Sequence, residues 1–356
     1  MAGLLDPIQV GDLSLPNRIW MAPLTRLRGT VDHLPTPVMI EYYRQRASAG
    51  LIISEGTPVS PMGVGYPQVP GIWSAEQVAG WKPVTQAVHE EGGKIFAQIW
   101  HVGRISAPVY LNGRSPVSSV AVAAKGTVNI LRPETPFPVP HALTVPEIAE
   151  VIEEFRRGAQ NAQDAGFDGV EIHGANGYLI DQFTQDGPNT RTDEYGGSIE
   201  NRGRFMLEVL DAVTSVWGPG RVGMHLAPRG DSHSAGDSNP AATFEYVARE
   251  MGKRKIAFIA AREYAGPDSL GPKLKEAFGG VFVANEKFTK AAGDEVIVQG
   301  KADAVLYGKL FISNPDLPER FATGAPLNAP IPQTFYTHGP EGYIDYPALS
   351  TEAATV

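Results

Sequence analysis

The sequence predicts an α/β fold, a single closed (β/α)8 TIM barrel that occupies residues 1–356 as one domain. Apolar segments of strand type alternate eight times with segments of helical period, and such alternation implies parallel strands joined by right-handed crossovers. Reactive polar side chains follow the ends of these strands, where barrels of this kind build their sites. A doubly wound open sheet is the less favoured arrangement of the same elements.

The first elements in chain order are a hairpin and a strand. Residues 1–17 predict an N-terminal β-hairpin that turns at Gly11 and Asp12. Thr36 and Ser74 should each cap a helix with the side-chain hydroxyl, and a further helix should begin with Thr144 to Glu147. The expected strands cover residues 18–23, 51–54, 94–98, 169–172, 221–226, 256–260, 281–284 and 304–307. The expected helices cover residues 37–49, 74–89, 144–165, 198–217, 241–252, 272–278, 287–299 and 315–322.

One segment interrupts the alternation. Residues 102–143, after strand three, are rich in Pro, Ser and Gly and are too long for an ordinary connection. We expect them to form a capping or lid excursion over the barrel.

The composition favours a small molecule as the ligand. The net charge is −9 and no run of Lys and Arg occurs, which argues against nucleic acid or an anionic membrane as a partner. Cys is absent, which excludes disulfides, thiolate nucleophiles and Cys-ligated metals. The N-terminus lacks the pattern of a signal peptide and no apolar run could span a bilayer. We therefore expect a cytoplasmic protein, as a monomer or weak homo-oligomer.

The densest polar cluster follows strand four, where His173, Asn176 and Tyr178 lie within six residues of each other. Two glycines between them allow sharp turns, and the side chains together form a compact set of hydrogen-bond donors. Further polar or aromatic candidates follow the other strands: Thr25, Glu55, Gln98, Trp100, His101, His225 and Arg262. Each of them alone is more often structural, but their convergence on one rim predicts a site.

The class of ligand can be narrowed from the motifs. Neither a Gly-x-Gly-x-x-Gly fingerprint nor a P-loop is present, so Rossmann-type dinucleotide binding and nucleoside triphosphatase activity are not supported. Loops after strands seven and eight of such barrels commonly bind phosphate, and here they contain residues 285–287 and the pair Gly308 and Lys309. The amide of Gln98 beside the indole of Trp100 suits a flat heteroaromatic ligand.

Two other classes stay open at this point. His101, His173 and His225 could converge on a metal with Glu55, as in metal-dependent barrel hydrolases, but strand one lacks the His-x-His pair expected of that class. A catalytically silent barrel that uses its mouth only to hold an aromatic or phosphorylated ligand is the second alternative.

Seven motifs carry a resemblance to a known family. They lie at residues 21–26, 41–47, 98–101, 173–178, 191–197, 314–317 and 342–347. In this order and over nearly the whole chain, the sequence resembles the old yellow enzyme family of FMN-dependent ene-reductases. The resemblance is closest to the bacterial xenobiotic reductase branch, of the pentaerythritol tetranitrate reductase and N-ethylmaleimide reductase type.

The resemblance implies a noncovalent FMN that NADPH or NADH reduces and that an electron-poor alkene or nitro compound reoxidises. Activated alkenes include α,β-unsaturated carbonyls, maleimides and nitroalkenes, and the nitro compounds include nitroesters and nitroaromatics. It implies that His173 and Asn176 grip the substrate oxygen, that Tyr178 donates a proton, and that no metal takes part. The implied FMN-binding residues are Pro23, Leu24, Thr25, Gly56, Gln98, His225, Asn285, Gly308 and Lys309. The implied substrate pocket is formed by Tyr66, Trp100, His141, Arg262 and Tyr336.

Four positions depart from the pattern of the family. His225 stands where Arg is frequent beside the flavin, so the charge there becomes dependent on pH. Lys309 also stands in place of a frequent Arg, which keeps the charge but loses bidentate phosphate geometry. Gly56 replaces a common Ala, and His141 a common Arg. The expected substrate range is therefore less defined than the reaction.

Overall fold

The protein, described by a computed structural model for residues 2–349, is built on a closed barrel of eight parallel strands. Strand one pairs with both strand two and strand eight, which closes the ring. In chain order the eight strands are Ile19–Met21, Ile52–Ile53, Ile95–Trp100, Gly169–Gly174, Val222–Leu226, Phe258–Arg262, Val281–Asn285 and Ala304–Tyr307. The expected (β/α)8 barrel is confirmed.

The register of the sheet brings the ends of neighbouring strands together. His173 on strand four lies opposite His225 on strand five, and Arg262 on strand six lies opposite Asn285 on strand seven. Because all eight strands run in the same direction, their carboxyl ends form one rim. This rim is called the barrel mouth below.

Helices connect the strands on the outside of the barrel. They are Pro37–Arg44, Ala75–Glu90, Val145–Asp164, Leu179–Thr184, Ile199–Trp217, Pro240–Arg254, Gly271–Phe278, Lys290–Val298, Lys309–Ser313 and Leu317–Thr323. Ser74 and Thr144 both form complete capping boxes, with Gln77 and Glu147 respectively. The first helix begins after Thr36 as expected, but the Thr36 hydroxyl donates to the carbonyl of Arg28 at 2.6 Å and makes no capping hydrogen bond.

Some boundaries differ from the sequence prediction for identifiable reasons. The short helices Leu179–Thr184 and Lys309–Ser313 were not expected; every residue of the first is buried, so it shows no amphipathic period. The helix expected from residue 287 begins at Lys290, because Glu286 and Lys287 have positive φ angles. Strand six is shifted by two residues to Phe258–Arg262, since the preceding helix extends to Arg254.

The N-terminal hairpin, with strands Ile8–Val10 and Leu13–Leu15, closes the end of the barrel opposite the mouth. The amide of Asp12 donates to the carbonyl of Gly220, just before strand five begins. Leu13 and Leu15 are buried in the same apolar cluster as Trp20, Phe96 and Phe258 from the strands. This end is a packed core and leaves the mouth as the open face.

Buried arginines hold the C-terminal segment, residues 332–346, against the mouth. Arg26 donates from Nη2 to the carbonyl of Gly342 at 2.7 Å, and Arg28 donates from Nη2 to the carbonyl of Thr334 at 2.9 Å. The ring of Tyr343 stacks on that of Tyr42, with centroids 3.9 Å apart. The segment thereby places Tyr336 at the rim with its side chain exposed.

The excursion of residues 102–143 leaves strand three and returns to the helix that begins at Val145. It contains the paired strands Val117–Ser118 and His141–Ala142. Its apolar residues Leu111, Val128 and Phe137 are buried in one cluster with Trp100 and Tyr178 from the mouth. The excursion therefore covers part of the mouth. Within residues 2–349 no helix is both long and apolar enough to cross a membrane.

Candidate active site

The strand-four cluster owes its shape to a tight turn after Gly174. Asn176 and Gly177 follow each other with φ angles of +60° and +74°. At Gly177 a Cβ atom would lie 2.3 Å from the carbonyl oxygen of Ser232, so only glycine fits there. Asp181, buried in the next helix, accepts from the amide of Gly177 at 2.8 Å. Burial raises the pKa of Asp181 to about 7.

His173 is buried and presents a defined nitrogen. The backbone amide of Ala175 donates to its Nδ1 at 3.3 Å, so this nitrogen is an acceptor. Burial, followed by the neighbouring His225 and Arg262, keeps the pKa of His173 well below its usual range. The neutral ring therefore carries its proton on Nε2, which can act as a donor.

Asn176 is oriented by a cation at the rim. Its Oδ1 accepts from Nη1 of Arg262 at 2.8 Å, and Arg262 also pairs with Glu286. The Nδ2 of Asn176 makes no hydrogen bond to another group within residues 2–349. The amide thus presents its donor end, as His173 does.

Tyr178 completes the cluster with a protonated phenol. Burial raises its pKa well above the ordinary value for tyrosine. Its hydroxyl lies 2.8 Å from the hydroxyl of Tyr66. The ring of Trp100 meets Tyr178 edge to face at 4.9 Å and stacks on His173 at 5.9 Å. Trp100 therefore holds both rings in place.

A buried carboxylate lies between strands three, four and five. Gln98 donates from Nε2 to Oε2 of Glu171 at 2.7 Å, and His225 Nδ1 donates to the same oxygen at 3.3 Å. The second oxygen of Glu171, the Nε2 of His225 and the Nε1 of Trp100 are buried without hydrogen-bond partners among the described residues. Buried polar atoms are nearly always paired. Donors and acceptors of this kind fit the edge of a flat heterocycle, and thus fit a flavin.

Glu171 did not emerge from the sequence as a site residue. It is the one acidic residue in the strand Gly169–Gly174, and a carboxylate inside a buried strand was the available signal. His101, in contrast, has a structural role. Its Nδ1 accepts from the amide of Gly103 at 3.0 Å, and burial lowers its pKa to about 3.

The loops after strands one and two form the next part of the mouth. Pro23, Leu24 and Thr25 are half-buried directly after strand one. A Cβ atom on Gly308 would meet Leu24 at 3.4 Å, so the ends of strands one and eight are in contact. Gly56 lies against Trp100, where a Cβ atom would approach the indole to 2.4 Å. Gly56 is therefore required by the position of Trp100.

The ends of strands seven and eight are more open. Asn285 donates from Nδ2 to the carbonyl of Leu306 at 2.9 Å. Glu286 and Lys287 follow with φ angles of +109° and +56°. Lys309 is exposed, and its ammonium group makes no hydrogen bond or ion pair with the residues that the structure describes.

Two of the expected pocket residues lie at the periphery. His141 is exposed and its Nε2 pairs with Glu147 at 2.9 Å, at the start of the helix Val145–Asp164. No hydrogen bond in residues 2–349 joins it to the strand-four cluster. Tyr336 is 54% exposed, so it can only border the mouth. In the same range, no group of three or more His, Asp or Glu side chains could hold a metal ion.

Comparisons with known proteins agree with this geometry. Residues 3–328 match the model of the NADH:flavin oxidoreductase / NADH oxidase family. The structure of an old yellow enzyme homologue from Zymomonas mobilis is 44% identical, with a TM-score of 0.95 and coverage of 98% of this chain and 100% of the other. Morphinone reductase in complex with tetrahydroNAD is 46% identical, with a TM-score of 0.95 and 98% of both chains covered. 12-Oxophytodienoate reductase 2 of Arabidopsis thaliana is 43% identical over 98% of this chain and 96% of its own.

Proposed function

Because the chain belongs to the old yellow enzyme family, FMN-dependent oxidoreductases that reduce activated carbon–carbon double bonds, we propose a role for each residue of the mouth. The observation that carries the proposal is the pair of donors on strand four. His173 Nε2 and Asn176 Nδ2 are each oriented by a hydrogen bond at the opposite end of their side chain, to Ala175 and Arg262. They lie beside the protonated Tyr178.

The two donors bind the carbonyl or nitro oxygen of the substrate. FMN, when bound, supplies a hydride to the β-carbon of an enone. Negative charge then grows on the substrate oxygen, and donors that are already oriented stabilise it without reorganisation. Neutral His173 suits this role, because it donates a hydrogen bond without adding a fixed charge to the oxidised site.

Tyr178 acts as the general acid. Its raised pKa keeps the phenol protonated at neutral pH, so a proton is available for the α-carbon of the substrate. Tyr66 and Trp100 line the pocket around it, and Arg262, His141 and Tyr336 border its entrance. These side chains would exclude water from the reacting atoms.

The chain's own residues also account for FMN binding. Gln98 and His225, which share the carboxylate of Glu171, would hold the pyrimidine edge of the flavin. Thr25 would bind near the flavin O4 and N5, with Pro23, Leu24 and Gly56 packed around the ring. Asn285, Gly308 and Lys309 would hold the phosphate, with Lys309 supplying the charge.

We assign NADPH as the reductant, with NADH as the alternative donor, and enones, maleimides and nitroalkenes as the substrates. Nitroesters and nitroaromatic compounds form a second substrate class of the same site. The family and the relative solved in complex with tetrahydroNAD support a nicotinamide nucleotide as the reductant, and the family supports activated alkenes as substrates.

One experiment tests these assignments together. The purified protein is inspected for flavin absorbance, reduced without oxygen by NADPH or by NADH, and mixed with cyclohexenone, a nitroester and a nitroaromatic compound. We expect FMN to be bound, faster reduction by NADPH, and reoxidation by cyclohexenone. Bound FMN that no acceptor reoxidises would instead indicate a silent binding barrel.

A further inference from the structure

Four side chains from separate parts of the chain form a line of hydrogen bonds that ends at Tyr178. The hydroxyls of Tyr178 and Tyr66 are 2.8 Å apart, and Asn129 Nδ2 lies 2.8 Å from the hydroxyl of Tyr66. The same Nδ2 lies 3.4 Å from Nε2 of His233. His233 Nδ1 in turn lies 2.8 Å from the backbone carbonyl of Asn176.

The direction of the bonds made by His233 and Asn129 follows from the far end of the line. A carbonyl oxygen only accepts, so His233 must carry its proton on Nδ1. Burial lowers the pKa of His233, and the cations that face it, Arg104 and Arg262, lower it further. The ring is therefore neutral, and its Nε2 is an acceptor for Asn129.

The amide nitrogen of Asn129 has two protons and no lone pair to offer. It donates one proton to His233 and the other to the oxygen of Tyr66. The Tyr66 hydroxyl keeps its own proton, and its other hydrogen-bonding neighbour is Tyr178. When Tyr66 donates to Tyr178, Tyr178 accepts, and its own proton stays free for a group in the mouth.

We propose that Asn129 is a positioning residue for the reduction reaction, because its amide fixes the direction of the Tyr66–Tyr178 bond and so makes Tyr178 the proton donor to substrate. This rests on the proposed function of Tyr178. As the proton leaves Tyr178 for the α-carbon, the O–H bond breaks and a C–H bond forms. The phenolate that remains keeps the hydrogen bond from Tyr66, which stabilises its charge.

The opposite direction would disable the donor. If the group at position 129 could only accept, Tyr66 would donate to it, and the oxygen of Tyr66 would be left to accept from Tyr178. The proton of Tyr178 would then be held in the bond to Tyr66. Asn129→Asp imposes this reversal, because a carboxylate has the shape of the amide but only accepts.

The test compares Asn129→Asp with Asn129→Ala, both loaded with FMN. The alanine variant leaves Tyr66 free to turn either way, whereas the aspartate variant holds it in the wrong direction. We expect enone reduction to be at least about tenfold slower in the aspartate variant than in the alanine variant, with a larger solvent isotope effect. If Asn129 only fills space, the aspartate variant, which matches its shape, will be as fast as the alanine variant or faster, and the proposal is overturned.

The Tyr66→Phe background provides the matched control. Without the hydroxyl that relays the direction, the exchange of Asn for Asp at position 129 should change enone reduction by less than about twofold. A change as large as in the presence of Tyr66 would overturn the proposal. If Asn129→Asp does not fold, Tyr66→Phe alone tests whether the line of hydrogen bonds supports Tyr178. An unchanged rate of enone reduction in Tyr66→Phe would contradict the proposal.

A further variant distinguishes a failure of the proposed role of Tyr178 from a failure of the inference about Asn129. If Tyr178→Phe reduces enones at the wild-type rate, both the function of Tyr178 and this inference are wrong. If Tyr178→Phe is slow but the two Asn129 variants rank in the other order, only the inference is wrong. FMN content and thermal melting of each variant report whether the fold is kept.

Discussion

The two sides of the barrel mouth differ in how firmly their polar groups are held. On the strand-four side, His173 and Asn176 each have one end bonded so that the other can donate. On the side of strands seven and eight, Lys309 is exposed without a partner among the described residues, and Glu286 and Lys287 occupy positive φ angles.

This difference corresponds to two kinds of binding. Stabilisation of a charge that grows during a reaction depends on donors that are fixed in advance, because reorganisation would cost free energy. A phosphate carries its charge before and after binding, and a flexible cation can follow it. The rigid side therefore suits the reacting atoms, and the open side suits the phosphate of the cofactor.

The largest effect should come from Tyr178→Phe. The variant keeps the ring that packs on Trp100 but loses the phenol proton. We expect enone reduction to fall by about a hundredfold or more, while reduction of the bound flavin by NADPH stays nearly unchanged. Stopped-flow measurement of the two half-reactions checks this. Equal slowing of both would remove Tyr178 from the role of proton donor.

Asn176→Asp tests the second member of the rigid side. The carboxylate can still accept from Arg262, but it has no proton to donate to the substrate. We expect enone reduction to slow by about a hundredfold, as for the loss of one donor to an oxyanion. Asn176→Ala should be less severe, because it adds no negative charge. The comparison between the two sides breaks down if Asn176→Asp reduces enones at the wild-type rate.

Asp181→Asn tests how the buried acid beneath the strand-four turn makes the stability of the protein depend on pH. The folded protein retains the proton of Asp181 up to a pKa of about 7, whereas the ordinary value is 3.8. The folded state thus binds more protons than the unfolded chain between these values, and its stability falls as the pH rises. The side chain of the variant cannot ionise. As the pH rises, the free energy of unfolding of the variant should therefore fall less steeply than that of the wild type, with slopes that differ by up to about 1.4 kcal/mol per pH unit.

Urea unfolding at several pH values between the two pKa values provides the measurement for Asp181. Glu150→Gln, on the exposed part of the helix Val145–Asp164, is the control and should leave the pH dependence as in the wild type. An Asp181→Asn curve parallel to that of the wild type would show that the buried acid does not contribute.

The smallest effect is expected on the open side, from Lys309→Met. The loss of one exposed cation should weaken FMN binding by about tenfold or less, and increasingly less at high salt. Fluorescence titration of the flavin-free protein with FMN measures this, with Lys82→Met on the outer helix Ala75–Glu90 as the control. A loss of a thousandfold would mean that the open side is as rigidly required as strand four.

The sequence was sufficient for the barrel and for most of the mouth. The alternation of strands and helices follows from the hydrophobic period, and the cap at Ser74 and the helix start near Thr144 were predicted from local sequence. The strand-four cluster could be found because its members lie within six residues of each other. Thr36 shows the limit of such signals, because its hydroxyl donates to the backbone carbonyl of Arg28 and makes no hydrogen bond to its own helix.

Other parts of the site depend on contacts that no local pattern records. Asn129 and Tyr66 are separated by 63 residues along the chain, and Tyr66 and Tyr178 by 112. The direction of their bonds depends on the protonation of His233, which follows from burial in the folded protein. Glu171 likewise becomes meaningful only when Gln98 and His225 from neighbouring strands meet it.

The arginine contacts to the C-terminal segment have a consequence for the order of folding. Arg26 and its acceptor Gly342 are 316 residues apart, and Arg28 and Thr334 are 306 apart. Contacts between residues so far apart in the chain form slowly and late, because a long loop must close, at a cost in entropy, before the contact stabilises the fold. All eight barrel strands precede residue 308, so the barrel can assemble before this segment docks. The wall that carries Tyr336 should therefore be the last part of the mouth to form, and refolding should restore tryptophan burial before it restores activity.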